Sequence, residues 1–406
     1  MNRETSLNPG PRENRRAVQI VRTFLVVCLG VTSLSATEAS KPRRQLLVVA
    51  PGYWRAGDAG KFSFEVYDLD AGGKRVHQAE PGKVGEIRGI CFSPATQRLY
   101  VSGHEGMLCY SWPDKKLLWH KPVEGRKPDQ NDAIAITVDG ARIYTVRHFG
   151  KGLNVYHAAT GERLRVIHER DVSGGRFSQV THDGARLFVS TKDILILDTA
   201  SEAVLGRFKP VMEPVRFAFS PDGQRFIYAT RENTAGAVTR RSVIVQDAAD
   251  GRLLHEIPVP AWQGMASEGA RLEWLALSPD GAQAWVCDYK NPCLHRFDLA
   301  ADPPRYAGRC EAPKGTVGLM YSVDGRFLVD GSGAVRDPAD GAIVGRLSDG
   351  NGKPCAASNN MLALEADTTT GRVLRTNQQC APVWPGPAVG VNKPISSPSE
   401  KEPSHE

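Results

Sequence analysis

Paired cysteines, basic runs and any long apolar stretch are missing from this 406-residue chain. Eight cysteines occur, yet none forms Cys-x-x-Cys or Cys-x-x-Cys-His, which excludes a zinc knuckle, a thioredoxin-type motif and the usual covalent haem attachment. No basic run or basic-aromatic interleaving appears, so nucleic acid is not an expected partner. The formal charge is +6. Residues 1–39 hold five Arg and three Glu, which leaves only about +4 for the rest of the chain. Charged residues are 24% and hydrophobic residues 41%, an ordinary globular composition.

The first 39 residues read as a secretory signal peptide. Arg15, Arg16 and Arg22 precede a short apolar run at 24–31, and small residues follow at 33–39. The run is too short to span a bilayer, so no stable membrane span is expected after cleavage near Ala36 or Ala39. The expected location is therefore secreted or periplasmic. Export permits disulfides, and seven cysteines remain beyond Cys28. Cys287 and Cys293 flank a five-residue loop between two strand-like runs and are the candidate pair; the alternative is buried free thiols.

What the chain does contain is a repeated turn. Ser220-Pro221-Asp222-Gly223 and Ser278-Pro279-Asp280-Gly281 are full copies. Val138-Asp139-Gly140, His182-Asp183-Gly184 and Val323-Asp324-Gly325 are shortened ones, and Ser93-Pro94-Ala95-Thr96 has lost the Asp-Gly pair. Measured from Thr96 and the turn glycines, the steps are 44, 44, 39, 58 and 44 residues. A short apolar run precedes each turn, and an aromatic or β-branched run such as Arg98-Leu99-Tyr100-Val101 follows it. Asp-Gly supplies the positive φ that a tight hairpin needs. A third strand with its own Asp-containing turn, from 68–72 to 367–371, and a short outer strand complete each unit.

Repeats of this length and content specify an all-β chain, a single β-propeller of four-stranded blades over 45–380, seven-bladed with eight as the alternative. The first unit starts directly at a second strand. A C-terminal segment must supply its inner partner, and residues 354–359 are the candidate, since an open array would leave long unpaired edges. Residues 385–406 turn to Pro, Gly, Ser, Glu and Lys and are expected to be a disordered tail.

Tyr100-Val101-Ser102-Gly103 and Phe188-Val189-Ser190-Thr191, with the turns Ala158-Ala159-Thr160-Gly161 and Thr368-Thr369-Thr370-Gly371, resemble YVTN-type propellers and the wider WD-repeat-like group. The Trp-Asp pair that closes many WD repeats is absent. The resemblance implies the fold, and a fold does not dictate activity. Some similar propellers open lactone rings, but no motif of theirs matches here. Others bind a quinone and end their turns in Trp; only Trp119 echoes that, and it is read as a packing residue.

Loops on a rigid scaffold are the usual place for binding residues. The rim formed by loops after the second strands collects Trp54, Arg55, His104, Glu105, Arg147, His148, Lys192, Arg231 and Tyr289. The long insert at 258–273 adds Trp262. Arg and His there would bind an anion, or His104 with Glu105 would supply acid–base chemistry; the plainer alternative is solvated loop charge. His157, His255 and His295 are read as packing or surface residues. No catalytic residue, metal or cofactor is expected. The reading is a monomeric, exported binding propeller for a protein or glycan, with a lactonase-like hydrolase at the central channel and a quinone-dependent redox enzyme as alternatives.

Overall fold

In the computed structural model the described residues are 42–50, 63–122, 131–147, 152–168, 177–181, 183–190, 193–211, 214–230, 241–261, 263–265, 271–357 and 360–377. They form twenty-nine strands and no helix. The strands make seven antiparallel sheets around one axis, a seven-bladed propeller. The leader and the tail lie outside the described residues.

Six blades are built from consecutive strands. Blade 1 runs from Ile87–Ser93 on the inside through Arg98–Gly103 and Gly106–Ser111 to Leu117–Pro122 outside. Blades 2 to 6 repeat this over 131–167, 177–208, 214–258, 272–311 and 319–346. First strands of neighbouring blades pack side by side around the axis. Inner and middle strands are buried, whereas outer strands expose residues such as Leu117, Leu118 and Val344. That gradient explains why the inner runs are continuously apolar and the outer ones mixed.

The repeated turn works through a Ser or Thr two residues before the Asp. In 137–142 the Thr137 hydroxyl donates to Asp139, the Arg142 amide donates back to Thr137 Oγ1 at 3.0 Å, and the Ala141 amide donates to Asp139 at 3.0 Å. Thr181, Ser220, Ser278 and Ser322 take the same part, receiving the amide five residues on at 3.1, 2.9, 2.9 and 3.0 Å. The polar side chains thus satisfy the hairpin's own amides, and the glycine takes the left-handed step. In the degenerate turn Gln97 itself adopts φ 52°.

Blade 7 is assembled from both ends of the chain. Arg43–Ala50, Glu65–Asp68 and Lys74–Gln78 form its outer three strands, and Asn360–Asp367 is the inner one. The expected closing segment, 354–359, is therefore displaced. Within it Pro354 makes only an isolated bridge to Ser348, whereas 360–367 is buried throughout and pairs with 43–50 over eight residues, from Arg43 opposite Asp367 to Ala50 opposite Asn360. The turn at 367–371 then leads into a fifth strand, Val373–Thr376, on the axial side of 360–367; it does not close a third strand. One apolar layer seals the closure, with Val48, Phe64, Leu362 and Leu364 of blade 7 against Phe92, Leu99, Val101 and Trp112 of blade 1.

Candidate functional site

The inner strands of all seven blades enclose an axial cavity of about 260 Å³. Its wall is mixed, with Ile90, Ile134, Phe217 and Met361 beside the polar Ser178, Gln179 and Asn360. Asn377, which follows the fifth strand of blade 7, reaches the cavity and bonds Ala363 in both directions at 3.2 Å. Among the described residues Arg88 is the one charged side chain on this wall.

Arg88 belongs to a cluster at the channel mouth. The bulge at the start of Ile87–Ser93 and the turn at 104–105 bring Glu86, Arg88 and His104 together. Arg88 Nε donates to His104 Nε2 at 2.7 Å and Nη2 donates to Glu86 Oε2 at 3.0 Å. His104 Nδ1 lies 3.7 Å from the same oxygen, while Glu86 Oε1 is enclosed without a hydrogen-bond partner. The guanidinium thus occupies the Nε2 lone pair that a general base would need. His104 is half-buried; Glu105, expected as its partner, is exposed and lies against Gly85 instead.

A second cluster stands at blade 5. Arg271 pairs with Glu273 and stacks over the Tyr289 ring at 4.8 Å. Below it Asp288 ends the second strand and accepts backbone amides from Arg271, Lys290 and Asn291 at 3.0, 3.0 and 3.1 Å. Burial pushes the Asp288 carboxyl up, but the bonds to His295, the Arg271 amide and the Asn291 side chain outweigh it and hold it below the ordinary range. Blade 6 uses Asp330 similarly, with Ser332 and Ala334 amides and a buried Arg336 at 2.7 Å.

Of the candidates named from the sequence, His104 and Tyr289 stand on one rim in polar clusters. Arg147 ends the second strand of blade 2 on that rim, opposite Asn131. Trp54, Arg55, His148, Lys192, Arg231 and Trp262 lie outside the described residues. The strands flanking them, ending at Ala50, Arg147, Ser190, Thr230 and Pro258, end on the same rim. Cys287 and Cys293 are both free thiols. Register explains it: Cys287 lies opposite Leu294 and Cys293 opposite Asp288, so the two side chains leave opposite faces of the sheet. Trp119 packs on Tyr100 with centroids 6.0 Å apart, as a blade-packing residue should. His295, in the third strand of blade 5, is fully buried, so it is no surface residue. Glu86 and Arg88 are among the charged residues that the sequence places at the entries to the inner strands; sheet register sets them against His104.

No protein-family profile and no curated protein matches the chain. Solved structures do. Hydrazine synthase of Kuenenia stuttgartiensis superposes with a TM-score of 0.53 at 17% identity, over 71% of this chain and 94% of that one. The dihydro-heme d1 dehydrogenase NirN in complex with DHE gives 0.52 at 16%, over 78% and 74%. The Pan2 WD40 domain of Neurospora crassa gives 0.51 at 14%, over 69% and 81%. At these identities the likeness is one of fold, and such folds carry unrelated activities.

Proposed function

We propose that this chain is an exported, monomeric recognition propeller that captures a protein or glycan on the rim at the channel mouth and catalyses no reaction. The observation that carries the reading is the mouth cluster itself. Arg88 closes on both Glu86 and His104, so charge is neutralised locally and the histidine lone pair is occupied. Arg88 also lines the axial cavity, whose wall mixes apolar and polar side chains. This supports contact recognition more than acid–base turnover. The leader at 1–39 supports export, and Tyr100-Val101-Ser102-Gly103 supports kinship with YVTN-type propellers.

The rim residues Trp54, Arg147, His148 and Trp262 are the proposed contacts, because Trp and Arg most often anchor interfaces. Replacing the four by Ala should abolish capture of the partner from an extracytoplasmic extract while the fold persists by circular dichroism. Undiminished capture would remove the rim as the binding face. Turnover of any member of a lactone panel would overturn the non-catalytic reading, as would visible absorbance from a quinone bound after reconstitution.

A further inference from the structure

We infer that Asp288, Cys293 and His295 of blade 5 form a binding site for a zinc-class divalent metal ion. The three residues stand on one hairpin of blade 5, just beneath its rim turn. Gln283–Asp288 and Cys293–Asp298 pair so that Asp288 lies opposite Cys293. His295, two residues on, shares the face of Cys293. The three are 0%, 6% and 0% exposed, and one donor atom from each lies within 4.8 Å of the others.

The distances fit a metal's ligand edges as well as a metal-free hydrogen bond. His295 Nε2 faces Asp288 Oδ2 at 3.2 Å and Cys293 Sγ at 3.7 Å. One nitrogen therefore faces both a carboxylate oxygen and a sulfur. Zinc bonds of about 2.0–2.1 Å to nitrogen or oxygen and about 2.3 Å to sulfur, at tetrahedral angles, give edges of roughly 3.4 Å and 3.6 Å. The two separations from His295 Nε2 lie close to those edges.

The surroundings fit as well. His295 Nδ1 meets the Tyr306 hydroxyl at 3.3 Å, which orients the ring with Nε2 inward. Asn291 Nδ2 donates to Asp288 Oδ2 at 2.8 Å, and three backbone amides hold Oδ1. Carboxylate and thiolate together carry the two negative charges that balance a divalent ion. The ion must therefore displace the thiol proton: the S–H bond breaks, a sulfur–metal bond forms, and one proton leaves to solvent.

The test uses the full chain, stripped with a chelator and titrated with cobalt(II), then zinc. One equivalent of cobalt should bind with a thiolate-to-cobalt charge-transfer band and four-coordinate visible bands. Zinc should displace it, and each metal should release one proton near neutral pH. Cys293→Ser should lose the charge-transfer band while Cys91→Ser keeps it, and His295→Gln should weaken binding by about tenfold or more. A native chain that takes up no stoichiometric cobalt, or shows no thiolate band when loaded, overturns the site whether or not the variants fold. A band that survives in folded Cys293→Ser overturns it too.

Discussion

Replacing Glu365 should loosen the ring at its closure before it loosens anything else. The Glu365 side chain is 1% exposed and receives Arg43 Nη1 at 2.7 Å on one oxygen and Arg375 on the other, with Nε at 2.7 Å. Arg43 belongs to the strand that opens the described chain and Arg375 to the one that ends it, so a single carboxylate ties both to the inner strand of blade 7. Breaking a wholly buried pair costs about 3–5 kcal/mol. Arg43 and Arg375 are 32% and 40% exposed and regain water when released, and Gln keeps one acceptor. Glu365→Gln should therefore cost about 2 kcal/mol. Native-state hydrogen exchange reads this directly. Amides of 43–50 and 360–367 should exchange roughly thirtyfold faster, while those of Arg98–Gly103 in blade 1 should change little. Equal acceleration in both regions, or none in either, would refute the view that Glu365 holds the closure specifically.

Three other outcomes are expected. Gly341→Ala should lower the melting temperature more than Gly223→Ala. Both glycines have positive φ, but a Cβ at 341 would meet Cys310 Sγ at 2.5 Å and Trp285 at 2.9 Å, whereas one at 223 meets nothing within 4 Å and costs only about 1–2 kcal/mol of backbone strain. Leu362→Ala, in the closing layer and fully buried, should cost about 2–5 kcal/mol by urea unfolding, against under about 0.5 kcal/mol for exposed Val344→Ala. Acid should destabilise the fold through its turns. The Thr137 hydroxyl and Ala141 amide hold Asp139 below the ordinary range; burial pushes Asp222 up, but the Ser220 hydroxyl and Gln224 amide outweigh it and hold it low. Such carboxylates contribute stability above their unfolded value and lose it as pH falls through the lower folded value. The urea midpoint should thus drop between about pH 5 and pH 2, and Asp139→Asn with Asp222→Asn should flatten that drop; an unchanged slope would contradict the assignment.

The blades were legible because their signals are local. An Asp-Gly hairpin is set by residues within six positions of one another, and the Ser or Thr that completes each turn stands in the same short window as the Asp. Closure was misplaced for the same reason. The Asp at 367 accepts the Thr369 and Thr370 amides at 2.8 and 3.1 Å, the chemistry that Asp198 and Asp298 use after third strands. A turn of that kind carries no record of which strand precedes it. Pairing with 43–50, more than three hundred residues away, decides that 360–367 is an inner strand, and only the assembled ring supplies that partner.

The sites were less legible because sheet register, and not sequence spacing, brings their groups together. Arg88 and His104 are sixteen residues apart and touch because Ile87 pairs with Gly103 beside a bulge. Glu105 looked like the natural partner of His104 by adjacency, but consecutive residues diverge at a turn, and Glu86 from the preceding connection takes that place. Blade 5 makes the same point in reverse. Asp288, Cys293 and His295 lie within eight positions but match no familiar ligand motif; a period of two on one strand and a hairpin register across to the next place three donors on one buried face. The disulfide read from the same hairpin fails by that same period, because Cys287 pairs one step away from Cys293 and so points to the other side. In a propeller, ligand sets are therefore to be sought at i and i+2 on a strand and at the cross-strand partner.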